Sequence, residues 1–173
     1  MNHVSLFLPD GKSLHKVVVG QSGSGKSYFL EHGARQFLKQ NTDPNFRMVY
    51  FSPKNEGFID LLPVHKRTKK PIGLVGNEED MLRSMEKNVL TVFYPDAVDL
   101  ELQMDETINA LFDMRDANPD LKTTIIIDDA QVFLSSRKRA SDAQNRLALL
   151  GRSRSINAIY VSHAIVMNKA LEA

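Results

Sequence analysis

The feature that most constrains this chain is the octapeptide Gly20-Gln21-Ser22-Gly23-Ser24-Gly25-Lys26-Ser27, which stands between an apolar run ending at Val19 and a run of helical periodicity. It has the spacing G-x-x-x-x-G-K-[ST], and each part has a physical reason. The glycines let successive backbone N–H groups turn inward and cradle phosphate oxygens, and the N-terminus of the following helix adds its favourable dipole. Lys26 can reach β- and γ-phosphates, the Ser27 hydroxyl can ligate Mg²⁺, and Tyr28 follows on the first helical turn. These nine residues, Gly20 to Tyr28, are the candidate nucleotide-binding set, with ATP and Mg²⁺ as the implied ligands.

Strand-like and helix-like runs alternate around this loop. Val4 to Leu8, the turn Pro9-Asp10-Gly11 and the run Leu14 to Val19 suggest an N-terminal β-hairpin leading into the core. Ser27 to Lys39 places Phe29, Leu30, Ala34, Phe37 and Leu38 on helical spacing, and Met48 to Phe51 reads as a short strand. Residues 55–77 mix apolar positions with the basic run His65 to Lys70 and read as a loop or irregular insertion. A short acidic helix is expected near Glu78 to Glu86, a strand over Val89 to Tyr94 and an amphipathic helix over Leu100 to Ala117, ended by Asn118-Pro119. Thr123 to Ile127 is too apolar for a half-exposed strand and suits a central parallel one. Asp142 to Leu150 reads as helix and Ile156 to Ser162 as the last strand. The pattern predicts an α/β fold with a mostly parallel central sheet flanked by helices.

The length of 173 residues fits a single domain spanning residues 1–173. No apolar run approaches the roughly 18 residues that cross a bilayer, and the first dozen residues lack the pattern of a signal peptide, so a cytoplasmic location is expected. With no cysteine, disulfides, thiolate metal sites and sulfur nucleophiles are excluded. The formal net charge of +1 hides a segregation: +6 over residues 1–76, −10 over 77–130 and +5 over 131–173.

Part of the acidic excess is chemical. Ile125-Ile126-Ile127-Asp128-Asp129 delivers two carboxylates at the C-terminal end of a buried strand, where ligands of α/β sheets sit. Asp128 is the candidate magnesium residue, through water or Ser27. Asp129 is placed to polarise the water that attacks a γ-phosphate, although Asp reaches one methylene less than the glutamate usual in hydrolytic enzymes with this loop.

Leu14-His15 before an apolar strand, the loop Gly-x-Ser-Gly-Ser-Gly-Lys-Ser, a strand ending in two acids, and Gly151-Arg152-Ser153-Arg154-Ser155 before the last strand together resemble the FtsK and HerA superfamily of ring ATPases. These are P-loop NTPases of the ASCE type. Within the superfamily the chain is most similar to viral genome-packaging ATPases of poxviruses and of membrane-containing phages and archaeal viruses. The resemblance covers roughly residues 14–170. It implies a polar γ-phosphate sensor, usually Gln, after the last strand, and the residue here is His163, beside Ser162. It implies an arginine finger acting across a subunit boundary, with Arg152 and Arg154 as the matches. It also implies a homo-oligomeric ring, hexameric or pentameric, working at a capsid vertex or portal in the host cytoplasm or virion. The superfamily chain normally continues with a further strand, whereas Ala164 to Ala173 supplies a short helix-like tail. Either the domain is truncated or the sheet is completed by the N-terminal hairpin or a neighbour.

The partner so implied is double-stranded DNA, gripped through phosphates without regard to sequence. The candidate contacts are Lys66, Arg67, Lys69 and Lys70, and the run Arg137-Lys138-Arg139. Three other readings stand beside it. Filamentous-phage assembly ATPases, similar to the zonula occludens toxin family, share an acid pair followed by Ala-Gln, as in Asp129-Ala130-Gln131, but usually carry a transmembrane helix. A P-loop small-molecule kinase would activate no water and would need an arginine-rich lid. A nucleotide-dependent switch would bind without useful turnover.

Overall fold

The β-branched residues Thr123 to Ile127 are stiff at χ1 and pack well on a pleated surface. In the computed structural model, which describes residues 6–7, 15–54, 56–95, 99–132 and 140–163, they form β5 (Lys122–Ile127). From Thr123 onward every residue of this strand is buried, as a strand covered on both faces must be. The other strands are β1 (Lys16–Val19), β2 (Phe46–Phe51), β3 (Leu74–Val75), β4 (Leu90–Phe93) and β6 (Ile156–Ser162). All pair in parallel in one six-stranded sheet of order β1-β6-β5-β2-β4-β3.

Among the described residues four α-helices connect them: α1 (Lys26–Gln40), α2 (Glu78–Lys87), α3 (Leu100–Ala117) and α4 (Asp142–Leu150). The step from β1 to β2 crosses two strand positions in one direction, while β4 to β5 and β5 to β6 return in the other. Because parallel crossovers are right-handed, that reversal puts the helices on opposite faces. Leu30, Ala34 and Phe37 of α1 accordingly pack with Met48, Tyr50, Ile126 and Ile159. Met81 and Met85 of α2, Ile108 and Leu111 of α3 and Leu147 of α4 pack with Val49, Phe51, Ile125 and Ala158. The alternation along β2 and β5 thus feeds two separate cores.

The helices over 100–117 and 142–150 and the strand over 156–162 have the bounds expected from sequence. Residues 55–77 do not stay irregular: a 3₁₀ turn spans Ile59–Leu61, Val64 bridges Pro71 in antiparallel fashion, and β3 adds an edge to β4. A two-residue strand is too short to leave a periodic signal. The proposed N-terminal hairpin and the tail from Ala164 lie outside the described residues, apart from Leu6, Phe7 and the strand β1. Phe7 is fully buried against Phe37.

One histidine ties β1, α4 and β6 together. His15 Nδ1 accepts the Ala158 N–H at 3.1 Å, and Nε2 donates to the Leu147 carbonyl at 2.8 Å. Gly151 closes over it, and a Cβ there would stand 2.8 Å from His15 Cε1 and 2.9 Å from the Ile156 carbonyl. Burial, helped by the charge of Lys16 and opposed by the Leu147 hydrogen bond, holds His15 below the ordinary histidine pKa. The folded state therefore binds this proton more weakly than the unfolded chain, so the contribution is complete above about pH 6.5 and is lost as the pH falls below it. Thermal unfolding should show a lower Tm at about pH 5.5 than at about pH 7.5, and His15→Gln should flatten that difference.

Candidate functional site

The reversal of crossover direction falls between β1, which leads into the sheet, and β6, which ends the return, and a crevice opens at the carboxyl ends of such strands. The loop between β1 and α1 forms one wall. Gly23 and Gly25 both take positive φ, 76° and 84°, a region that side chains disfavour. Gly25 caps α1, so the first helical N–H groups and the loop face one cleft of about 310 Å³. Ser22, Gly23, Gly25, Lys26, Ser27 and Tyr28 line it, while Gly20, Gln21 and Ser24 complete the loop behind them. Lys26 Nζ reaches across the loop to the carbonyls of Gly20 and Gln21, at 2.6 and 2.9 Å.

Asp128 and Asp129, at the end of β5, form the opposite wall. Both are buried, and both have their oxygens assigned. Asp128 Oδ2 accepts the Tyr50 hydroxyl at 2.8 Å and Oδ1 accepts the Asp129 N–H at 3.0 Å. Asp129 turns away in the left-handed region, φ 48°. Its Oδ2 meets Lys54 Nζ at 2.5 Å, and its Oδ1 accepts Gln131 Nε2 at 3.1 Å and His163 Nε2 at 2.8 Å. Burial pushes Asp129 up, but the Lys54 and Gln131 hydrogen bonds and the charge of Lys54 outweigh it and hold the carboxyl below its usual range.

His163 follows β6 directly and spans the two walls. Its Nδ1 stands 3.3 Å from Lys26 Nζ. Lys26 can only donate, so an imidazole with its proton on Nε2 satisfies both contacts. The His163 backbone N–H donates to Gln131 Oε1 at 3.3 Å, fixing the strand end to the turn after Asp129.

Lys26, Ser27, Asp128, Asp129 and His163, separated by up to 137 residues in sequence, are thus brought together. Arg152 and Arg154 are not. They lie exposed in the 3₁₀ turn before β6, at the opposite end of that seven-residue strand, which is about 23 Å long. Arg154 is paired with Asp116 of α3. Tyr50 and Lys54 carry no motif and were not anticipated. Tyr50 reads as one more apolar strand residue, and Lys54 as a turn residue after Ser52-Pro53. Gln131 stands out in the sequence only as part of the Ala-Gln pair after Asp129.

A phosphate loop between strand and helix, facing a strand that ends in two carboxylates within a parallel six-stranded sheet, defines a P-loop NTPase-like α/β fold. The genome-packaging NTPase B204 of Sulfolobus turreted icosahedral virus 2, in its complex with ATP-gammaS, superposes with a TM-score of 0.65 at 15% identity, over 99% of this chain and 72% of that one. B204 described as the DNA-packaging ATPase of Sulfolobus turreted icosahedral virus gives 0.61 at 15% identity over 90% and 68%. The N-terminal domain of zonular occludens toxin from Neisseria meningitidis gives 0.42 at 13% identity over 92% and 72%, too loose to bear on the argument. At these identities the likeness concerns the fold. No protein-family model and no curated protein matches the chain.

Removing the Tyr50 hydroxyl would leave Asp128 Oδ2 without its buried donor. Tyr50→Phe should therefore cost about 1–2 kcal/mol of stability, measured by urea unfolding, with the sheet intact.

Proposed function

We propose that this chain is an ATP-hydrolysing motor subunit of the FtsK and HerA superfamily that drives double-stranded DNA into a viral capsid. The observation that carries the reading is the insertion of β6 between β1 and β5, which sets His163 between Lys26 and Asp129. A hydrolase uses a carboxylate to polarise the attacking water and a polar group to register the γ-phosphate, and Asp129 and His163, opposite the phosphate loop, have the side chains for those two roles. A carboxylate alone would also suit a kinase, so the reading leans on the polar residue at the end of the added strand.

In this reading the loop N–H groups and Lys26 hold the triphosphate, and Asp129 accepts the proton of the attacking water. The water oxygen bonds to the γ-phosphorus as the bond to the bridging oxygen breaks, and ADP leaves with that electron pair. His163, the γ-phosphate sensor of this reading, holds Asp129 through its Nε2–H and faces Lys26 through Nδ1, so it links the lysine that meets the γ-phosphate to the carboxylate that takes the proton. The donor set at Ser27 and Asp128 suits Mg²⁺, which takes one or two protein oxygens and completes its shell with phosphates and water. When bound, Mg²⁺ supplies neutralisation of charge on the β- and γ-oxygens.

The DNA side rests on the antiparallel turn closed by Val64 and Pro71. His65 Nδ1 accepts from the Thr68 N–H at 3.1 Å and stiffens that turn. Lys66, Arg67, Lys69 and Lys70 stand exposed on it within five residues, with no acidic partner among the described residues. The other candidate contact, Arg137 to Arg139, lies outside the described residues. Arg152 and Arg154 are too far from their own phosphate loop to act there, so a finger role requires a neighbouring subunit in a ring. No helix among the described residues is long and apolar enough to cross a membrane.

Lys26→Ala should reduce ATP hydrolysis at least about a hundredfold while circular dichroism stays unchanged. Random-sequence duplex DNA should stimulate wild-type hydrolysis at low salt, the stimulation should fall steeply as salt rises, and alanine at Lys66, Arg67, Lys69 and Lys70 should weaken it. Absence of stimulation, with turnover appearing only on addition of a small phosphate acceptor, would favour the kinase. Mixing Asp129→Asn subunits with Arg152→Ala or Arg154→Ala subunits should restore activity for whichever arginine acts in trans.

A further inference from the structure

Both oxygens of Asp129 are occupied, and the least fixed of its three partners is Lys54. Gln131 is two residues away on the same turn and is tied to the His163 backbone, while His163 is anchored by β6 and by Lys26. Lys54 stands past the two-residue tether Ser52-Pro53 from the end of β2, its backbone N–H donating to Ser52 Oγ at 3.4 Å, but its side chain is 47% exposed against 5% for Asp129. The same ammonium lines the cleft shared by Lys26, Ser27 and Asp128.

From this geometry we infer that Lys54 is a γ-phosphate ligand that holds Asp129 until a triphosphate arrives. The inference rests on the nucleotide-site reading above. A carboxylate whose Oδ2 is engaged at 2.5 Å by an ammonium has that lone pair blocked for a water proton. A γ-phosphate entering beside it carries more negative charge than one carboxylate and offers three oxygens, so it competes for the same cation. When Lys54 swings to the phosphate, two things happen together. Oδ2 of Asp129 is freed to accept a proton from water, and a second cation besides Lys26 meets the oxygens on which charge develops. ADP lacks the γ-phosphate and leaves the ion pair closed. Hydrolytic competence is thereby tied to the nucleotide state without any large motion of the backbone. The lysine is suited to this by its flexible four-carbon stem, which lets one charge serve two sites in turn.

The test compares binding of ADP and of a non-hydrolysable ATP analogue, with Mg²⁺, by calorimetry on the whole protein, alongside steady-state hydrolysis. For Lys54→Met the analogue should bind roughly tenfold or more weakly while ADP stays within about twofold, because only the triphosphate reaches Lys54. Hydrolysis should fall at saturating ATP, and Lys54→Arg should restore part of the ATP over ADP preference. Equal weakening of both nucleotides, or no change in either, would overturn the inference, and so would faster hydrolysis with an unchanged preference, since Lys54 would then only restrain Asp129. If the wild-type protein binds neither nucleotide, or if Lys26→Ala binds both as well as wild type, it is the nucleotide-site reading that fails.

Discussion

Three parallel strands in fixed register, β1, β6 and β5, carry the arrangement on which everything else depends. Val19 stands opposite Ser162, and Tyr160 opposite Ile127, so the phosphate loop, His163 and the acid pair all leave the sheet at the same end. The ladder is continued past the strands by the Gly20 N–H to the Ser162 carbonyl at 3.3 Å and by the Asp128 N–H to the Phe51 carbonyl at 2.9 Å. A slip of one residue would carry each buried set of β5 or β6 to the other core and move the functional ends by about 3 Å. The packing of two apolar cores, one under α1 and one under α2 to α4, is what forbids that slip.

The polar centre of the crevice is a chain of mutual assignments. Tyr50 and the Asp129 N–H orient Asp128; Lys54, Gln131 and His163 saturate Asp129; Lys26 closes the chain to the phosphate loop. Buried carboxylates are costly unless paired, and here the pairing is with groups that a nucleotide would also address. In the proposed reading, substrate binding exchanges some of those interactions. The segregated charge acquires a place as well. Beyond Asp128 and Asp129, much of the acidic middle block lies on α2 and α3, where burial, helped by the charges of Glu106 and Asp113, pushes Glu78 upward. Lys66, Arg67, Lys69 and Lys70 of the early block, with no acidic partner among the described residues, project instead from the turn preceding the edge strand β3.

Legibility differed by residue for physical reasons. The phosphate loop was readable because its backbone conformation demands glycine at set intervals and its chemistry demands Lys and Ser beside them. Asp128 and Asp129 were readable because a continuous β-branched run can end in two acids at a useful place only if it is a buried strand. His163 was reached through the resemblance, and its two contacts depend on a strand order that no local pattern contains. Tyr50 and Lys54 left no signal: one is an aromatic in an apolar strand, the other a lysine in a turn, and both descriptions fit many surface or core positions. Residues 55–77 read as irregular in sequence because a two-residue edge strand is held by its pairing with β4, and the lone Val64–Pro71 bridge by its own turn, neither leaving a periodic signal.

By itself the sequence determined a parallel α/β sheet with a phosphate loop facing two carboxylates, since period, glycine spacing and the buried β-branched run are all local properties. Only the tertiary structure decided that β6 lies between β1 and β5, that His163 joins Lys26 to Asp129, that Lys54 engages the free oxygen of that carboxylate, and that Arg152 and Arg154 sit at the far end of their strand. Strand order is set by which faces can be buried together and by the handedness of the crossovers. Those are properties of the whole packed chain, and they fix distances between residues more than a hundred positions apart.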